Sequence, residues 1–334
     1  MVDRPTVVVA GASGYAGALA ARLLHRHPGF ELVAITSRSD TGRTLDELYP
    51  HYRVPMVLDA FDVEHHGNVD AAVVAYPHGA SAPAVAELHD RGVKVVDLSA
   101  DFRLDDPEVY LEWYGEHGAP NLFGHAVYGL PELYREQIAG AHLVACPGCY
   151  PTAAILGLAP LARAGLIADV VIDAKSGVSG AGREPSASKH FVAVDETVTP
   201  YKVARHRHAP EIDQELGVLG SPVTSLFTPH LIPLDQGELV SSYVTPSRPV
   251  DQAELDELYA SAYDDEPFVE LTPVPPGVRD VRETNICRIQ AVSDPRTGKM
   301  LVFSVIDNLW KGTASQAVQN LNLMFGFDET ESLL

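Results

Sequence analysis

"VVVAGASGYAG", Val7 to Gly17, is the stretch that decides the fold. With Thr6 before it, the apolar run to Ala10 reads as a buried strand, because β-branched residues favour extended backbone. Gly11, Gly14 and Gly17 follow at the spacing G-x-x-G-x-x-G, and Tyr15–His27 then carries Leu19, Leu23 and Leu24 at helical intervals. Strand, glycine turn and helix in this order open a doubly wound sheet. Glycines let the turn approach a diphosphate, whose charge the amides at the helix start favour. Gly11, Ser13, Gly14, Tyr15 and Gly17 are therefore candidate dinucleotide contacts. A bare tight turn is the weaker alternative, since glycine triplets alone have little specificity.

The pattern repeats outward from this loop. Glu31–Thr36 is a second strand and Ala71–Ala75 a third; a helix over Ala80–Arg91 leads to a strand over Val93–Leu98. Short apolar strands alternating with helices predict a parallel Rossmann-type sheet. An NAD site usually places an acid at the end of the second strand, to accept from a ribose hydroxyl. Here "ITSRSD" puts Ser37 and Arg38 there, with Asp40 beyond. Arginine presents a planar fork suited to a 2′-phosphate, which favours NADP(H). His78 and Gly79 follow the third strand, at the carboxyl edge where dinucleotides lie.

The second half differs in texture. Asp169–Ser176, Glu238–Thr245, Ile286–Val292 and Leu301–Ile306 are longer runs, several alternating polar with apolar residues, as in a mixed or antiparallel sheet with one wetter face. The expected organisation is an α/β protein: a discontinuous nucleotide-binding domain over 1–148 and 312–334, and an α+β catalytic domain over 149–311. The closing "GTASQAVQNLNLMFG" spaces Ala317, Leu321 and Met324 as a helix that returns to the first domain.

Charge narrows the partners. Against 24 basic residues stand 45 acidic ones, a formal net charge of −21. Such a surface repels nucleic acid and anionic membranes, and an anionic substrate would need a locally basic pocket. Three cysteines are too few for a disulfide framework in 334 residues. The apolar run near the amino terminus is too short for a signal peptide and ends in glycine. No run approaches the roughly 20 apolar residues of a membrane span. A cytoplasmic setting is expected.

"HLVACPGCYPTA" places Cys146 and Cys149 about a Pro-Gly. A redox dithiol belongs in a small thioredoxin-like unit, and a zinc site lacks a second C-x-x-C; the arginines of "RHRH" are poor neighbours for a cation. No metal is expected. The remaining reading is one working nucleophile. Cys149 precedes "YPTAAILGLAPL", a helix with Pro151 in its first turn, where proline is tolerated. The positive end of that helix should lower the thiol's pKa from about 8.5 and enrich the thiolate. The alternative is a small buried hydrophobe, the commoner fate of cysteine. "ARHRHAPEI" offers His206 and His208 as proton partners, flanked by Arg205 and Arg207.

Taken in order, "GASGYAG", "DLSADFR", "YGLPE", "PGCYPTA", "SGVSGAGR", "HRHAPEI" and "DNLWKGTASQAVQN" resemble the N-acetyl-γ-glutamyl-phosphate reductases, from first strand to last helix. The aspartate-semialdehyde dehydrogenases are similar in architecture but depart at "HRHAPEI" and "PGCYPTA". The resemblance implies NADPH-dependent reduction of an acyl phosphate to an aldehyde in arginine biosynthesis, through a thioester on Cys149 with His208 as acid and base. It also implies Arg103 and Arg205 as substrate contacts, Ser179, Gly180 and Asn308 near the cofactor, and a homo-oligomer, dimer or tetramer. The family often has asparagine where this chain has Cys146, so Cys146 is read as non-catalytic; its spacing allows a reversible disulfide with Cys149. Two rival readings stand beside this one. The first is a sister reductase acting on an aminoadipyl or carrier-linked acyl phosphate of lysine-type biosynthesis. The second is a non-catalytic NADP-binding sensor, which would need no nucleophile.

Overall fold

A computed structural model describes residues 4–334, so the first three residues of the expected nucleotide-binding domain lie outside the described residues. The chain divides into two units, one running up to Gly148 and including Thr313–Leu334, the other Cys149–Gly312.

The first unit is built on seven strands: β1 (Thr6–Ala10), β2 (Glu31–Thr36), β3 (Leu58–Asp59), β4 (Ala71–Val74), β5 (Lys94–Asp97), β6 (Val127–Tyr128) and β7 (Leu143–Ala145). They pair in the order β3-β2-β1-β4-β5-β7-β6, every neighbour parallel. The central strands are apolar throughout because both faces are covered: Val7 to Ala10 and Ala71 to Val74 are fully buried. Strand order reverses between β1 and β4, which makes the carboxyl edge there the topological switch point. Helices at Tyr15–Arg26 and Ser81–Asp90 flank that edge. In the returning segment, the helix Ser315–Phe325 packs on Tyr15–Arg26, on the helix Pro131–Ala139 and on β5.

Seven strands also form the second sheet: β8 (Ile167–Ser176), β9 (Thr199–Pro200), β10 (Leu226–Leu231), β11 (Glu238–Pro246), β12 (Val269–Leu271), β13 (Cys287–Asp294) and β14 (Lys299–Ile306). Their order is β12-β13-β14-β11-β8-β10-β9. The sheet is mixed: β10 runs parallel to β8 and β12 to β13, and the remaining pairs are antiparallel. Val170, Ile172 and Ala174 of β8 share a buried face with Val240 and Val244 of β11 and with Val302 and Ile306 of β14. The helix Cys149–Arg163 covers that face and is itself buried from Tyr150 to Ala162.

Pro160 lies inside this helix and cannot donate to Leu156 O. The Tyr263 hydroxyl donates to that carbonyl instead, at 2.5 Å, and Tyr259 does the same for Gly157 O. Both tyrosines come from the helix Gln252–Tyr263, so the backbone bond that proline deletes is replaced by a contact that docks a second helix. Among the described residues, no helix is long and apolar enough to cross a membrane.

Candidate active site

In the first unit the glycine loop closes directly on β1. Gly11 adopts φ +91°, and a Cβ there would sit 2.6 Å from Ala75 O. A Cβ on Gly17 would collide with Gly11 O. Both glycines are thus required by the protein's own packing. Gly14 differs: its φ is −77°, and a Cβ would meet only Gly11 O, at 3.8 Å. It stands at the N-cap of Tyr15–Arg26 with open space beside it, the room a diphosphate needs at a helix start. We therefore expect Gly14→Ala to fold normally yet raise the KM for the nicotinamide cofactor roughly tenfold, whereas Gly17→Ala costs about 2–4 kcal/mol of stability. Steady-state kinetics and thermal denaturation separate the two; equal melting losses in both variants would remove the distinction.

Ser13 and Ser37 join the loop to the end of β2 through a 2.7 Å contact between their hydroxyls. Tyr49 donates to Ser13 O at 2.8 Å, and its ring lies edge-on to Tyr15. Beyond Ser37, Arg38 lies over the Tyr76 ring, 4.8 Å from its centre. Ser37, Arg38, Thr41, Phe61, Tyr76 and Pro83 line a groove of about 540 Å³. The wall combines apolar surface with a guanidinium, and Ser37 occupies the place of a ribose-binding acid. These residues fit a phosphorylated adenosine. Arg38→Ala should raise the KM for NADPH about tenfold to a hundredfold and leave that for NADH within about twofold, since only one cofactor carries the 2′-phosphate. Equal losses for both would show that Arg38 does not read that group.

His78 and Gly79 sit on the turn after β4. His78 Nδ1 accepts from Ala100 N at 2.9 Å, so the ring is held by the "DLSADFR" segment. Asp101 from the same segment accepts from Gly79 N (2.7 Å), Ala82 N (2.9 Å) and the Tyr110 hydroxyl (3.0 Å). It caps the helix Ser81–Asp90, a role that sequence reading missed although an acid lies ahead of an uncapped helix in space. Asp97 is fully buried, and burial pushes its pKa up to about 6 against the hydrogen bonds from Ser81 and Ser99. Arg103 is buried as well. Its Nε donates to Cys146 O at 2.6 Å and its Nη2 to Leu98 O at 2.9 Å. Cys146 is buried and accepts from Asn320 Nδ2 at 3.4 Å. None of the three cysteines is in a disulfide.

In the second unit Cys149 is the first residue of its helix and is partly exposed. Gly312 packs tightly on it: a Cβ there would lie 2.8 Å from Cys149 Cβ. Next along the helix, Tyr150 begins an aromatic cluster. Its ring lies 5.6 Å from His206, 5.9 Å from His208 and 5.4 Å from Phe227, and His206 and His208 are 4.7 Å apart. Tyr201 donates its hydroxyl proton to the Tyr150 hydroxyl at 3.2 Å. Burial raises the pKa of both tyrosines well above the ordinary range, so both stay protonated. His208 is also the N-cap of the helix Ala209–Val218, and His206 Nδ1 accepts from His208 N at 3.2 Å. Glu211, buried in the first turn of that helix, is a further acid that sequence reading passed over. Arg205 is exposed beside this cluster.

Ser179, Gly180 and Asn308 form one group. Asn308 Nδ2 donates to Ser179 Oγ at 3.1 Å, its Oδ1 accepts from Gly237 N at 2.7 Å, and a Cβ on Gly180 would stand 3.5 Å from its amide nitrogen. Asn308 is thus a buried bracket that fixes the glycine-serine turn to the start of β11. Among the described residues, no group of three or more His, Cys, Asp or Glu is placed to hold a metal ion.

Comparison with known proteins agrees with these two halves. Residues 6–141 match the family model "Semialdehyde dehydrogenase, NAD binding domain", and residues 149–308 match "Semialdehyde dehydrogenase, dimerisation domain". The chain is 50% identical to the N-acetyl-gamma-glutamyl-phosphate reductase of Desulforudis audaxviator, over 98% of this chain and 97% of that one. It is 49% identical to the reductase of the same name from Moorella thermoacetica, over 97% and 96%. Among solved structures it resembles aspartate semialdehyde dehydrogenase II of Vibrio cholerae, with a TM-score of 0.75 at 19% identity, covering 97% of this chain and 99% of that one.

Proposed function

The chain belongs to the N-acetyl-γ-glutamyl-phosphate reductase family, and from that premise we infer that it reduces N-acetyl-γ-glutamyl phosphate to N-acetylglutamate semialdehyde and phosphate, with NADP(H) as cofactor, in arginine biosynthesis. The observation that carries this reading is 50% identity, over nearly the full length, to a reductase of that name, joined to a partly exposed cysteine at a helix start.

The residues supply the chemistry as follows. Cys149, as thiolate, attacks the acyl carbon; the carbon–oxygen bond to phosphate breaks and a thioester remains on sulfur. His208 takes the thiol proton beforehand. Backbone amides at the start of the Cys149 helix stabilise the developing oxyanion, at ~3 kcal/mol per donor. When bound, NADP(H) supplies the hydride. Collapse of the resulting thiohemiacetal releases the aldehyde and returns the thiolate, with His208 managing the proton of the oxygen.

The Gly11–Gly17 loop, Ser37, Arg38, His78 and Gly79 of the first unit are proposed to bind the cofactor; the family resemblance adds Ser179, Gly180 and Asn308 as cofactor contacts. Arg103, buried with Nε donating to Cys146 O and Nη2 to Leu98 O, is proposed as the contact for the substrate phosphate. Arg205, exposed near His208, adds a second cation for the substrate. The enzyme works in the cytoplasm as a homo-oligomer. Support for oligomerisation is the alternate face of the second sheet, where Val171, Leu239, Tyr243, Leu301 and Phe303 are only partly covered.

The reverse reaction tests the assignment. N-acetylglutamate semialdehyde, phosphate and NADP⁺ should give reduced nicotinamide by absorbance; silence with this aldehyde and turnover of an aminoadipate analogue would transfer the chain to lysine-type chemistry.

A further inference from the structure

A buried acid that this mechanism does not use lies beside the Cys149 sulfur. Glu238 opens β11, and the strand register sets it between Ser176 of β8 and Ile306 of β14. Even-numbered residues of β11 and β14 face the Cys149 helix, as Ser304 demonstrates by donating to Ala153 O at 2.7 Å. Ser176, Glu238 and Ile306 therefore form the terminal row under the start of that helix. Ile306 Cδ1 and Cys149 Cβ both border Gly312.

Glu238 is 0% exposed. Its carboxyl neighbours the Cys149 thiol and the Ser176 hydroxyl, yet neither oxygen is in a hydrogen bond of standard geometry. Ser176 Oγ is turned to Gly177 O, 3.2 Å away. The other titratable groups facing Glu238 are Asp307, Tyr150 and Tyr201. Asp307 is itself satisfied by the amides of Glu283, Leu309 and Trp310. Burial pushes the pKa of Glu238 up to about 8, so at neutral pH it is a carboxylic acid with a proton to offer.

We propose that Glu238 is a further catalytic residue, a neutral acid that donates a hydrogen bond to the Cys149 thiolate in the resting enzyme and again when sulfur leaves the thiohemiacetal. This rests on the reading of Cys149 as nucleophile. The Glu238 proton is not consumed: it stays on the carboxyl, while the thiol proton goes to His208. As pH rises through about 8 Glu238 ionises, which removes the donor and sets a negative charge beside the sulfur.

The test is the rate at which iodoacetamide alkylates Cys149 in the unliganded enzyme, followed by peptide mass spectrometry from pH 6 to pH 10. Glu238→Gln keeps a donor but cannot ionise; Glu238→Leu has neither property. At pH 7 the Gln variant should react within about threefold of wild type and the Leu variant roughly tenfold more slowly. Between pH 7 and 9 the wild-type rate should fall roughly tenfold relative to the Gln variant, because only wild type gains the opposing charge. Superimposable profiles for wild type and Glu238→Gln would overturn the proposal, and that variant, close in shape to glutamate, answers even if the Leu protein does not fold. Turnover measured on the same alkylated samples checks the underlying reading separately. Labelled enzyme that still reduces substrate would refute Cys149 as nucleophile whatever the profiles show.

Discussion

Cys149→Ser should lower kcat by at least about a thousandfold while NADPH still binds within about twofold of its wild-type affinity. Serine preserves the size of the side chain, so the close packing of Gly312 on this position is undisturbed. What changes is acidity: an alcohol at a helix start remains almost wholly protonated at neutral pH, where a thiol there does not. The cofactor contacts proposed in the first unit lie elsewhere in the chain, which is why binding and turnover should part company. A second measurement addresses the intermediate itself. Mixed with acyl phosphate and no reductant, the wild-type protein should gain the mass of the acyl group on the peptide carrying Cys149, and the serine variant should gain none. A protein that served only as an NADP-dependent sensor would show neither the loss nor the adduct.

The parts of the fold legible in the sequence were those where one physical signal dominates. Val7 to Ala10 could only be a buried strand, and the glycines after it could only be a turn. The core elements of both sheets appear within a few residues of where their apolar runs place them. Short edge strands did not announce themselves: β3, β6 and β9 are two residues each, too brief for periodicity to register. Nor did β10, because "LFTPHL" contains Pro229, which argues against a strand. Proline is accommodated there, and its carbonyl accepts from Tyr201 N at 3.1 Å.

The same division holds at the site. Cysteine and histidine carry chemistry by type, so Cys149 and the pair His206 and His208 stood out without coordinates, and the family resemblance alone chose His208 from the pair. Arg103 could not be told from a surface cation, since its burial and its bond to Cys146 O, 43 residues along the chain, are made only by the fold. Glu238 was hidden differently. The alternation Glu238, Val240, Ser242, Val244 already puts the acid on the apolar face, but a strand-initial glutamate reads as a solvated end unless the register with Ser176 and Ile306 is known. Burial of an acid is a tertiary fact.

His208→Asn should cut kcat/KM about a hundredfold to ten-thousandfold and abolish the acid limb of its pH profile. Asparagine is the informative replacement because His208 has a structural role beside the proposed catalytic one. Its backbone opens the helix Ala209–Val218, where Ile212 N donates to His208 O at 3.0 Å, and asparagine is among the residues best suited to that N-cap. The helix survives and only the imidazole is lost. An imidazole takes and returns protons near neutrality, whereas a carboxamide does neither, so the variant's rate should depend on pH only through the groups that remain. His206 provides the internal contrast. It is buried among Tyr150, Tyr201 and Phe227, and its Nδ1 accepts from His208 N, which requires that nitrogen to be unprotonated. Its replacement should act mainly on stability, lowering Tm, with the pH profile retained. If instead the His206 variant loses the acid limb and His208→Asn keeps it, the roles of the two histidines in "HRH" are exchanged.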